Sequence, residues 1–170
     1  MGTKTFSEAT TCAPHPVSRR DQIKMTDEEA LAFLEEERIV VVATNGHDGF
    51  PHLMPLWYVL REGRPWAWTY SKSQKARNIE RDPRATLQVE AGVEYSELRG
   101  VMLRAEVRLH RDLEAVTALG FEIFARHTGA EGEEVAEMVR SQAPKRVGLE
   151  FVETGRRATW DHRKLGGGVY

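Results

Sequence analysis

A chain of 170 residues has the length of one domain and buries about 70% of its unfolded surface, enough to fold without a metal or a disulfide. Hydrophobic residues make up 41% and charged residues 29%, which excludes a disordered or fibrous chain, and a net charge of −2 gives no overall field to attract nucleic acid or an anionic membrane. The single cysteine, Cys12, excludes an internal disulfide, and the chain has neither an apolar run near the roughly 20 residues of a membrane span nor an apolar signal core, so a cytoplasmic protein is expected.

Residues 1–25 read as a flexible arm, Thr, Ser, Pro and charge succeeding one another without apolar periodicity. Cys12 lies in it with no base positioned nearby, so its thiol is expected to be incidental. Regular structure is expected from Thr26-Asp27-Glu28-Glu29, where Thr26 and Glu29 stand at capping-box spacing. The helix they open runs to about Glu37 and is expected to bury Ala30, Leu31, Phe33 and Leu34. Arg38 to Thr44 is β-branched and continuous, the pattern of a strand covered on both faces. A turn at 45–49 leads to a strand from Pro51 to Leu60. A hairpin at 61–64 then gives a third strand, Pro65 to Tyr70, with Trp66 and Trp68 on one side.

A short helix is expected from Lys72 to about Asp82, stopped by Pro83, followed by strands at 84–91 and 98–111. In the second of these Val101, Leu103, Ala105, Val107 and Leu109 alternate strictly. Asp112 is placed to cap a helix reaching about His127 that buries Val116, Phe121 and Phe124. After the glycines at 129 and 132 comes another helix, ending near Ser141, and the strands 146–153 and 156–161 close the chain. Six or seven antiparallel strands with helices inserted between some of them predict a mainly β barrel with α excursions, not a doubly wound sheet. The last residues, 166–170, read as a flexible tail.

The segment richest in chemistry is 69–78. Ser71 and Gln74 stand at capping-box spacing, which places Lys72 and Lys75 in a first helical turn. Positive charge there opposes the helix dipole by roughly 0.3–1 kcal/mol per charge, a cost that an anion beside the turn would reverse. The hydroxyls of Ser71 and Ser73 would complete such a cradle; the alternative is a solvated basic helix. The strand from Pro51 carries two prolines, so it cannot be fully paired on both sides. Met54, Leu56, Trp57 and Tyr58 give it an apolar, aromatic surface suited to a flat ring, or to plain core packing.

These residues resemble a known family. Arg38 to Val42, followed by 49–58, is similar to the opening hairpin of the pyridoxamine 5′-phosphate oxidase-like split β-barrel superfamily. Ser73 to Ile79, with Asp82-Pro83 and the strand after it, resembles that superfamily's phosphate-binding segment, and 98–101 its next strand. The closing 159–164 is similar to the tail of actinobacterial members that use the deazaflavin coenzyme F420. The resemblance covers residues 26–165.

It implies an antiparallel split β-barrel of six or seven strands, of the FMN-binding-protein kind, working as a homodimer with cofactor sites at the subunit interface. The ring would lie along His52, Met54, Pro55, Leu56 and Trp57, beside Thr69, Tyr70 and Ser71. The phosphate would meet Lys72, Ser73, Lys75 and Asn78, and Trp160 would approach from the second subunit. The implied activity is hydride transfer between F420, or FMN, and a small organic acceptor. The alternatives are an FMN-dependent reductase or oxidase of the same fold and a non-catalytic flavin or haem carrier. Residues 163–168 do not reproduce the C-terminal signature of pyridoxamine phosphate oxidase itself, which argues against that activity.

Other constellations carry less. His47, Asp48 and His52 straddle a turn without metal-ligand spacing, so no metal is expected. Asp161 and His162 are adjacent and are expected to point apart. The three glycines from 166 have no helix after them and so form no phosphate loop. No side chain stands out as the catalytic acid; Tyr58, Tyr70 and His52 are the candidates.

Overall fold

The computed structural model describes residues 18–129 and 132–166. The element order is α1 (Arg19–Gln22), α2 (Asp27–Glu36), β1 (Ile39–Asn45), β2 (Pro51–Arg61), β3 (Arg64–Tyr70), α3 (Gln74–Arg81), β4 (Arg84–Ala91), β5 (Arg99–His110), α4 (Leu113–Thr128), α5 (Glu133–Gln142), β6 (Arg146–Glu153) and β7 (Ala158–Asp161). Short 3₁₀ turns occupy Tyr95–Glu97, Ala143–Lys145 and His162–Leu165. All strand pairs are antiparallel in the order β4-β1-β2-β3-β6-β5-β7, and β4 also pairs with β5. The first six strands therefore close into a barrel, with β7 added against the start of β5. This is the split-barrel class expected from the sequence.

The barrel is filled by residues alternating inward: Val40 and Val42 of β1, Leu87 and Val89 of β4, Val101, Leu103 and Ala105 of β5, and Val147, Leu149 and Phe151 of β6. α2 plugs one end with Ala30, Phe33 and Leu34, its capping box formed as the sequence requires. Leu31, expected inside, is exposed. A second apolar cluster joins the outer face of β2 and β3 (Val59, Trp68) to Val116, Leu119 and Ile123 of α4 and Val139 of α5. At the β2–β3 hairpin Glu62 and Gly63 both take positive φ, the geometry of a two-residue turn that matches strand twist.

Three expectations need correction. β1 is not covered on both faces: Ile39 is exposed, and Val41 and Ala43 are half-buried on its outer side. The helix expected from Lys72 begins at Gln74, capped by the Ser73 hydroxyl, which accepts from Ala76 N. Of the arm expected over 1–25, the described part from Ser18 takes regular structure, exposed over 18–22 and tied to the barrel at Ile23 and Met25. α1 forms there, Ile23 O accepts from Asp161 N at 2.7 Å, and Met25 N donates to Thr159 Oγ1. Cys12 and residues 167–170 lie outside the described residues. Among the described residues no helix is long and apolar enough to cross a membrane.

Candidate functional site

The barrel is split along one seam. β2 pairs with β1 along Pro51 to Trp57, but with β3 only from Tyr58 to Arg61. The first seven residues of β2 therefore turn one edge away from any strand, as its two prolines foretold. Met54, Pro55 and Trp57 are exposed here, while His52 and Leu56 are half-buried. The His52 Nδ1 is buried without a hydrogen-bond partner among the described residues.

At the head of this seam lies a cavity of about 330 Å³. Its walls are Pro55, Leu56 and Trp57 of β2, Trp68 of β3 and Phe124 of α4, with Gln142 and Arg146 at its margin. Phe124 stands nearly perpendicular to both tryptophans, 6.0 Å from Trp57 and 6.1 Å from Trp68 between centroids. The Arg146 guanidinium lies 4.3 Å from the Trp68 ring centre and 4.4 Å from that of Tyr70. Its Nε donates to Gln142 Oε1 at 3.1 Å.

Below the cavity, on the opposite face of β3, stands Thr69. Lys75 donates through Nζ to Thr69 Oγ1 at 3.0 Å, and the Ser73 hydroxyl lies 3.3 Å from the same oxygen. Lys75 is only 7% exposed, and among the described residues no carboxylate pairs with it. Burial pushes its pKa down, and the nearby Arg146 charge adds to the effect.

The remaining sequence-predicted residues separate. Lys72 is exposed and lies outside the helix. Ser71 is tied down, its N and Oγ both donating to Lys145 O. Asn78 is fully buried; its Nδ2 donates to Thr44 Oγ1 and its Oδ1 accepts from Gln74 Nε2, so it anchors α3 to β1 and offers no donor outward. Tyr70 is exposed beside Arg146. Trp160 sits on β7, with β5, β4 and β1 between it and β2, so within one chain it does not join the group.

Tyr58 drops out as an acid. Its hydroxyl donates to Leu34 O, and burial holds the phenol well above its ordinary pKa of 10.0. Asp161 and His162 form no dyad: Asp161 is paired with Arg163, and His162 Nδ1 bonds Tyr95 O. Sequence reasoning missed Trp68, Phe124, His127, Gln142 and Arg146 as neighbours of the seam. Trp68 had the right side assigned but not the right company.

The closed antiparallel barrel with one unpaired half-strand defines the split-barrel class. A model of the family described as pyridoxamine 5′-phosphate oxidase matches residues 26–155, and the chain belongs to that family. No curated protein matches it in sequence. Among solved structures it is similar to a conserved hypothetical protein of Mycobacterium tuberculosis, with 38% identity over 91% of this chain and 96% of that one, at a TM-score of 0.81. It also shares its fold with an F420 reductase (21% identity, 76% and 97% covered, TM-score 0.63). A haem storage protein of Vibrio cholerae has the same fold (15%, 77% and 92%, 0.62).

Proposed function

We propose that this protein is an oxidoreductase that transfers a hydride between a deazaflavin of the F420 type, or FMN, and a small organic acceptor. The observation that carries the reading is Lys75. A buried ammonium with a single hydroxyl partner and an arginine nearby is costly unless an anion joins it. The cofactor's phosphate is that anion in this reading, received by Lys75 and Ser73, with Lys72 approaching from solvent. The unpaired half of β2 offers backbone groups and an apolar surface to a ring, and the orphan His52 Nδ1 is a further polar contact. These residues fit the group.

When bound, such a cofactor supplies the hydride itself. The chain's own residues would grip the phosphate, fix the ring against β2 and keep water from the seam. The acceptor gains the hydride and one proton; with Tyr58 excluded, His52 and Tyr70 remain as donors within the seam. The F420 reductase of the same fold supports the deazaflavin over FMN.

We further propose that the site is completed in a homodimer. Strand registers align Pro55, Val41, Gln88, Met102 and Ala158 in one row across β2, β1, β4, β5 and β7. Beside this row Ile39 is 52% and Leu53 56% exposed. A second copy covering this apolar face would bring its own Trp160 toward the seam.

Titration of the purified protein with coenzyme F420 and, separately, with FMN tests the reading through quenching of cofactor fluorescence. Tighter F420 binding followed by acceptor reduction supports it. An FMN preference moves it to a flavin reductase or oxidase. Binding without turnover makes the protein a carrier, and binding of neither overturns the reading.

A further inference from the structure

Two cations without carboxylate partners among the described residues flank β3, and they lie on opposite sides of it. Strand alternation puts Thr69, and with it Lys75, on one face, and Trp68 and Tyr70, which hold Arg146, on the other. The two charges repel one another, but a phosphate hydrogen-bonded to Lys75 on one face leaves the Arg146 guanidinium on the other without an anionic hydrogen-bond partner of its own. We propose that the cavity at the head of the seam binds a planar acceptor bearing a carboxylate, with Arg146 taking the carboxylate and the aromatic walls taking the ring. The role of acceptor rests on the hydride-transfer reading above; occupancy of the cavity does not.

The guanidinium is prepared for this task. It is held between the Trp68 and Tyr70 rings and steadied by Gln142, so little side-chain freedom remains to be lost on binding. Among the described residues no carboxylate forms an ion pair with it, although most of the chain's other partly buried arginines have one: Arg61 with Glu122, Arg99 with Glu36 and Arg157 with Glu153. Nε and Nη2 both donate to Gln142 Oε1, which leaves the Nη1–Nη2 end of the planar fork to match a carboxylate at two points, as a point charge would not. The walls contribute the second half of the selectivity. Trp57, Trp68 and Phe124 stand edge to face around about 330 Å³, at the small end of the roughly 300–1,000 Å³ of ligand cavities, which suits a ring system of one or two fused rings. Pro55 and Leu56 of the unpaired half-strand form the floor, so a ring in the cavity lies beside the surface proposed for the cofactor.

Calorimetric titration with 2-naphthoate and with naphthalene-2-carboxamide tests this, since the two share shape and differ in charge. The acid should bind wild-type protein roughly tenfold or more tightly than the amide, the weight of a charge-assisted hydrogen bond. In Arg146→Gln the preference should vanish with amide binding retained, and Arg146→Lys should restore only part of it. The preference should persist in protein saturated with whichever cofactor binds. Equal affinities in wild type, an unchanged preference in Arg146→Gln, or displacement of 2-naphthoate by the cofactor would each overturn the proposal. If neither F420 nor FMN binds while the acid preference holds, the hydride-transfer reading falls and the carboxylate site stands.

Discussion

The Trp57 indole and the His127 imidazole lie face to face, 4.7 Å between centroids and 3° between planes. His127 Nε2 is 3.1 Å from Tyr58 O; a carbonyl only accepts, so this nitrogen carries the proton. Helix α4 thus reaches across to fix the one aromatic side chain that belongs both to the unpaired half of β2 and to the cavity.

Burial lowers the His127 pKa below its ordinary 6.5. The unfolded chain then binds a proton more readily than the native one, so stability is intact above 6.5 and falls as pH drops through the lowered native value. Acidification from pH 7 to 5 should reduce Tm and quench Trp57 fluorescence together. His127→Gln should remove this share of the pH dependence; an unchanged profile would show that the stack does not control it.

Lys75→Met should stabilise the protein while destroying cofactor affinity. Removing a buried, uncompensated ammonium relieves about 1 kcal/mol or more, which thermal unfolding will read as a higher Tm. For the wild type the sign runs the same way. A lysine pKa depressed below 10.5 penalises folding at low pH, and the penalty fades as pH rises through the native and then the unfolded value. Cofactor affinity should decline over the same rise, because the ammonium is the form that binds.

Tyr58→Phe removes the hydroxyl bonded to Leu34 O and should cost about 1 kcal/mol in chemical denaturation. Turnover should keep its pH profile, since the buried phenol stays protonated throughout the working range. A displaced alkaline limb would restore Tyr58 as a proton donor.

Gly100→Ala tests the position of Trp160. A methyl at Gly100 would lie 2.2 Å from the indole, so the ring must move. A cost of about 1–3 kcal/mol is expected, with red-shifted tryptophan emission. If Trp160 completes a partner's site, cofactor affinity should fall as well, whereas a purely local effect would leave it unchanged.

Leu53→Glu places a charge on the exposed outer face of β2 and should convert a dimer to a monomer in sedimentation while leaving the barrel folded. Retained dimerisation would move the interface elsewhere.

The barrel was legible because its signals are local. The β-branched run of β1, the alternation of β5 and the capping box at Thr26 each act within a few residues. The start of α3 was misread for a reason no local rule contains: Ser71, at capping-box spacing from Gln74, is drawn away by Lys145 O, and Ser73 caps in its place. Lys75 stood out in the charge pattern, and the structure sets it against Thr69 beside Ser73. Arg146 could not, because it meets Tyr70 only through the β3–β6 register. His127 and Phe124 gave no sign in a helix whose period announces only a core face.

That register also sets when the site can exist during folding. Tyr70 and Arg146 meet across strands separated in the chain by α3, β4, β5, α4 and α5, so closure of a loop of nearly half the chain must precede the cavity. A nascent chain that has completed the β1–β2 hairpin carries the unpaired edge but not the cation that faces it. Ligand affinity at Arg146 is therefore a property of the long-range topology, and gaining it reports the β3–β6 pairing rather than the first collapse.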